Sequence, residues 1–251
     1  MHVAMLFVFI ILPSLKPLSQ VTVDLTRANG SEFVFARLVY ESGFRSDFRR
    51  RGSWATDWPK ADKQFMFGVD RLSNIRIVLD EDVAVPIMDP KLFSYPFLYA
   101  VEVGQMNLSQ AEADRLREYL LRGGFLVVDD FWGTYEWQNF SYNMKMIFPD
   151  KEAELIPLSH PIFHAFYDIE EVLQIPNIRN GCGGYQTHER DGYVPYALAV
   201  FDDKRRPMIV INYNTDLGDA WEWADEPCYP YEFSGMAYRM GINFIVYSMT
   251  H

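Results

Sequence analysis

The sequence predicts an α/β protein: a mostly parallel sheet with helices on both faces, ending in a strand hairpin and a closing helix. Apolar runs of strand length alternate with segments of helical period from residue 33 onward, the pattern of a sheet covered by helices. The helical stretch Ser109 to Arg122 feeds through Gly123 and Gly124 into the wholly apolar run Phe125 to Val128, which suits a strand buried on both faces in a β-α-β unit. Near the end, Tyr196 to Phe201 and Met208 to Tyr213 flank the polar turn Asp202, Asp203, Lys204, Arg205, which predicts an antiparallel hairpin.

Phe33 to Tyr40 is the first expected strand. Pro59 to Leu72 follows as a helix with Asp57 as its cap, because Phe65, Met66, Val69 and Leu72 recur at helical spacing. Ile75 to Leu79 and Phe97 to Val103 are further expected strands. Ser109 and Glu112 make a capping box for the next helix, Leu116, Tyr119 and Leu120 form its apolar stripe, and the glycine pair stops it. Glu232 to Met249 closes the chain as a helix with Ala237, Met240, Gly241, Phe244, Ile245 and Ser248 on its packing face. There are no repeats or low-complexity linkers, so residues 20–251 read as one domain.

Lys and Arg total 23 against 34 Asp and Glu, a formal charge of −11, which argues against a partner recognised through its phosphate backbone. Nucleic acid is not an expected partner. A composition 49% hydrophobic and 23% charged excludes disorder. Residues 1–19 differ from the rest: Ala4 to Leu12 is unbroken apolar sequence, then come Pro13, Ser14, Lys16, Pro17 and Ser19. That run is too short to span a bilayer but has the length of a signal-peptide core, although His2 is a weak basic start. The expectation is a periplasmic or secreted protein without a transmembrane helix in its mature chain. Export would permit a bridge between Cys182 and Cys228, whereas a cytosolic chain would hold two thiols. Cys182 makes a weak nucleophile, since Gln174 to Asn180 before it lacks a strand-to-helix turn.

In open α/β sheets, ligands bind beyond the carboxyl ends of the strands. Three such ends carry concentrated charge: Arg45, Arg49, Arg50 and Arg51; Asp129 and Asp130; and Asn214, Asp216, Asp219 and Glu222. At least one arginine is expected to pair with a strand-end carboxylate. Asp129 and Asp130 are adjacent on extended chain, so at most one enters a shared cleft. The oxygen-rich run around Gly218 has the ligand chemistry of a hard cation but not the spacing of a helix-loop-helix calcium loop, and a turn capping the next helix is the commoner fate. No metal ligand is assigned on that basis. His160 and His164 lie four apart, with no glutamate completing an HExxH motif. Aromatic residues gather at the same acidic ends: Phe131, Trp132, Tyr135, Trp137, Phe140 and Tyr142 in one loop region, Trp221, Trp223, Tyr229, Tyr231 and Phe233 in the other. Rings beside carboxylates suit sugars, while core filling is the structural alternative.

The expected ligand site therefore comprises Arg45, Asp129, Asp130, Trp132, Asn214, Asp216, Asp219, Trp221 and Glu222, for a small polar, polyhydroxylated ligand and no identified cofactor. Two alternatives stand beside it. One is a carboxylate- or metal-dependent glycan hydrolase, and the other a cell-envelope interaction module whose aromatic loops contact a protein partner.

Phe35 to Tyr40, Leu120 to Gly133, Leu158 to Phe163, and Asn212 to His251 with its Asn214, Asp216, Gly218, Asp219, Trp221, Glu222 pattern resemble the bacterial domain-of-unknown-function 4159 family over nearly the whole mature chain. The resemblance implies a flavodoxin-like sheet related to class I glutamine amidotransferases and trehalose-utilisation-type domains, in relatives associated with envelope proteins and MoxR-type ATPases. It implies no established activity. Amidotransferases carry a nucleophilic cysteine in a Gly-x-Cys-x-Gly turn after a strand. Here Asp129 and Asp130 occupy the corresponding strand end, so glutaminase activity is expected to be absent.

Overall fold

The computed structural model describes residues 33–42, 53–79 and 82–251. The apolar segment Ala4 to Leu12 and the arginines Arg45, Arg49, Arg50 and Arg51 lie outside the described residues. Among those described, seven strands form one sheet: β1 (Ala36–Val39), β2 (Val83–Pro86), β3 (Phe97–Val101), β4 (Phe125–Asp129), β5 (Glu154–Leu155), β6 (Tyr196–Phe201) and β7 (Pro207–Tyr213). Their spatial order is β2-β1-β3-β4-β7-β6-β5. The first five run parallel, in the 2-1-3-4-5 order of one doubly wound class, and β6 and β5 continue the sheet antiparallel.

Side chains alternate between two cores, one on each face of the sheet. Phe97, Tyr99, Phe125 and Val127 point to the face covered by α1 (Lys60–Leu72), α5 (Leu217–Glu222) and α6 (Tyr231–Thr250). Leu98, Ala100, Leu126 and Val128 point to the face covered by α2 (Gln110–Leu121) and α3 (Gly133–Ile147). The helix α4 (Ile178–Gly183) packs Ile178 and Cys182 against the first of these cores and is joined by the Cys182–Cys228 disulfide to the segment preceding α6. α6 packs closely because residue 241 is glycine: a Cβ there would lie 2.6 Å from the Phe65 ring and 2.8 Å from Trp221, two rings stacked with centroids 4.1 Å apart.

The expected hairpin, closing helix and capping box are present, the last with Ser109 accepting from the Glu112 amide. Three expectations need correction. Ile75 to Leu79 forms only an isolated bridge through Ile77, because β2 occupies that edge of the sheet beside β1. β2 escapes detection because it is four residues long and ends in Pro86, a residue tolerated at a sheet edge. Most of the expected loop region from Phe131 to Tyr142 lies in helix α3, which runs from Gly133 to Ile147. Its amino-terminal amides are satisfied from afar: Asn214 accepts from Gly133 at 2.9 Å and Asp191 from Thr134 at 3.0 Å. The local contribution is Glu136, which accepts from the Trp132 amide at 2.6 Å, while Trp132 itself offers no capping side chain. Finally, the Asp57 side chain does not cap α1.

Candidate functional site

β4 and β7 are parallel neighbours, so their carboxyl ends open on one edge of the sheet. The segments leaving β1, β3, β4 and β7 surround a cleft of about 590 Å³ on that edge, with residues 177–190 as a further wall. Eight carboxylates line it: Asp57, Glu102, Asp130, Glu136, Glu189, Asp216, Asp219 and Glu222. Trp58, Trp132 and Trp223 contribute rings, and Arg179 and Arg190 contribute positive charge. Arg190 is paired with the buried Glu136.

Asp129 and Asp130 part, but through a left-handed turn of the backbone at Asp130 rather than through strand alternation. Asp129 is fully buried beneath the cleft, where Oδ2 accepts from the Tyr99 hydroxyl (2.6 Å) and from the amides of Leu217 (2.8 Å) and Gly218 (3.1 Å). It anchors the first turn of α5. Asp130 leaves the strand in a left-handed conformation (φ 50°) and lines the cleft, with Oδ1 accepting from Trp132 Nε1 at 3.0 Å. Asp57, Glu102 and Arg190 also line the cleft at positive φ. Such concentration of backbone strain is characteristic of functional sites.

Asp216 is the N-cap of α5, and its Oδ1 accepts from the Asp219 amide at 2.7 Å. Asp219 in turn accepts from the Ile178 amide (2.7 Å) and from Trp223 Nε1 (3.2 Å), tying α5 to the start of α4. One oxygen from each of Asp57, Asp130 and Asp216 lies within 4.8 Å of the others, and the same holds for Asp57, Asp219 and Glu222. Burial, reinforced by neighbouring carboxylates, pushes Asp57, Asp130 and Asp216 well above the ordinary carboxylate range. Asp219 is raised by burial against the pull of its hydrogen bonds and Lys60, and Glu222 by burial together with the Asp219 charge.

A family model described as a domain of unknown function, DUF4159, matches residues 34–249. The chain belongs to this family. A comparison with curated proteins finds no match. The DUF4159 match contains every residue of the cleft.

Of the residues expected from sequence, Asp130, Trp132, Asp216, Asp219 and Glu222 line the cleft of this DUF4159 domain. Asp129 supports it from below. Asn214 is buried and structural, its amide nitrogen donating to the Val194 carbonyl at 2.7 Å while its oxygen holds Gly133. Trp221 is 1% exposed and stacked on Phe65 in the core, so Trp223, two residues later, is the ring that faces the cleft. His160 caps a 3-10 turn through Nδ1, and His164 pairs with Asp168, both outside the cleft. Sequence reasoning missed Asp57 as a site residue. Its position beyond β1, another strand end on the same edge, was the available signal.

These carboxyls set a pH dependence in metal-free buffer. Each has a folded-state value above its unfolded one, so the folded chain holds more protons and stability falls as pH rises. For Asp129 beneath them, which burial also raises, the window runs from the ordinary value of 3.8 to about 7, and the cleft carboxyls act in the same direction from their ordinary values upward. Asp191 and Asp202, held low by hydrogen bonds, act below that window. Urea titrations in chelator should therefore show greater stability at pH 5 than at pH 7.5; a rise across that range would count against it. Asp216→Asn keeps a capping oxygen while removing charge, so it should flatten this dependence without lowering stability at pH 7.5. Asp216→Ala also loses the cap and should cost about 1 kcal/mol by the same melts.

Proposed function

We propose that this chain binds a small polar, hydroxyl-rich ligand in the cleft at the carboxyl edge of its parallel strands. The observation that carries this reading is the convergence of eight carboxylates and three indole rings on one cavity of about 590 Å³. Its volume falls in the range of small-molecule sites, with carboxylates to accept hydroxyl protons and rings to cover apolar faces. The strand order supports an amidotransferase-like ancestry. Asp130 stands at the strand-to-helix turn after β4, where that ancestry would place a thiol. Both cysteines are consumed in the disulfide, which favours a role without glutaminase chemistry. The disulfide also supports an exported protein, since such bonds persist in oxidising compartments. An inverting glycan hydrolase needs carboxyls ~6.5–9.5 Å apart. The closeness of Asp57, Asp130 and Asp216 favours joint ligand binding over that chemistry.

The test is a thermal-shift panel of monosaccharides, disaccharides, sugar phosphates and polyols, run in chelator and again with divalent cations. At least one compound should raise the midpoint, as a ligand of the native state must. Asp130→Asn should reduce that shift. A panel in which no compound moves the midpoint in either buffer would overturn the reading.

A further inference from the structure

We infer that the cleft holds two divalent cations bridged by the Asp57 carboxylate, one completed by Asp130 and Asp216 and the other by Asp219 and Glu222. This inference rests on the cleft's being the ligand site and adds how a hydroxyl-rich ligand would be held there: by the ions.

The donor sets come first. In each group of three the oxygens lie within 4.8 Å of one another, about twice a Ca–O distance of ~2.4 Å, so one ion fits among them. Every donor is a carboxylate, and among the described residues neither histidine nor cysteine lines the cleft, which selects hard cations such as Mg²⁺, Mn²⁺ or Ca²⁺. The ligands also come from different elements. Asp130 and Asp216 follow adjacent parallel strands, whereas Asp219 and Glu222 lie three apart on α5 and so share a face of that helix. Asp57 stands between the two sets and belongs to both. A carboxylate shared in this way is the usual bridge of two-metal sites, whose ions sit ~3.5–4 Å apart.

A second observation points to a missing positive partner. Asp57 Oδ2 is sealed from solvent and no donor reaches it. It occupies space left by the missing side chain of Gly218, whose Cβ would come within 2.9 Å of it. Among the described residues, Arg179 lines the cleft beside Glu189, and the other nearby cations have partners outside the two donor sets. Arg37 is bound to Asp62 and to the carbonyls of Trp54 and Thr56, Arg190 pairs with Glu136, and Lys60 lies between Asp225 and the Trp223 ring. Five carboxylates against two divalent ions leave one negative charge, whereas without ions their mutual repulsion across low-dielectric space is relieved only by taking up protons.

The experiment is calorimetric titration of chelator-stripped, disulfide-intact protein with MnCl₂ and CaCl₂, joined to Mn²⁺ electron paramagnetic resonance. Two ions per chain and a spin-coupled Mn²⁺ signal are expected. Asp57→Asn should weaken both sites at least tenfold. Glu222→Gln and Asp216→Asn should each leave one ion and abolish the coupled signal, and they serve as tests even if Asp57→Asn does not fold. A stoichiometry of zero or one, or unchanged binding in these variants, overturns the inference. The sugar panel separates it from the broader reading: a sugar shift undiminished in chelator, with no ion bound, removes the cations and keeps the ligand site. Two bound ions with no responding sugar does the reverse.

Discussion

Arg37→Met is expected to destabilise the fold by about 3–5 kcal/mol, the usual result of stripping one partner from a buried ion pair. Arg37 rises from β1 with no exposed surface. Its Nε and Nη2 bind the Asp62 carboxylate on α1, while Nη1 reaches the carbonyls of Trp54 at 3.2 Å and Thr56 at 2.6 Å. The guanidinium also lies 5.1 Å from the centre of the Tyr99 ring. Methionine would fill much of the volume but leave Asp62 charged and both carbonyls without a donor. Urea titration at pH 7.5 measures the loss. The double variant Arg37→Met/Asp62→Leu should recover most of it, since replacing both partners removes the stranded charge. A single-variant loss below about 1 kcal/mol would show that the pair does not anchor α1 to the sheet. The same residue matters to the cleft, because the carbonyls it grips belong to the segment leading into Asp57. Cation affinity should fall in Arg37→Met even under conditions where it remains folded.

Removing the disulfide should be nearly as costly. Cys182 and Cys228 are 46 positions apart, and closing a loop of that length stabilises by about 4 kcal/mol on the chain-entropy model. Strain and residual structure lower such figures in practice, so a loss of about 2–4 kcal/mol is expected for Cys182→Ala/Cys228→Ala. The bridge also fastens α4, whose first amide donates to Asp219, against the segment preceding α6. Its loss should therefore raise proteolytic sensitivity around residues 177–190 before the rest of the chain opens. Coincident melting curves with and without reductant would refute both effects.

The sequence disclosed elements whose causes are local. α2 carries its capping box, apolar stripe and glycine stop within its own residues, and β4 is apolar on both faces because both faces are covered. α3 was hidden because the groups that hold its first turn, Asn214 and Asp191, arrive from much later in the chain. The cleft divides in the same way. Asp130, Asp216, Asp219 and Glu222 follow from the strand-end rule once two strands are recognised. Asp57 did not, because a carboxylate just before a helix reads as a cap. Trp221 and Trp223 are indistinguishable by type, and only the pitch of α5 sends one into the core and the other to the cleft.

The pairing of β4 with β7 has a consequence for biosynthesis. Asp129 and the Leu217 amide it accepts from are 88 positions apart, so the central strand waits for its last neighbour until most of the chain has been made. At ~5–20 residues per second, that delay is roughly 4–18 s, during which Phe125 to Val128 presents an open apolar edge. The nascent chain is most exposed to aggregation in this interval. Slower initiation or a holding chaperone should raise the soluble yield more than any change to the finished surface.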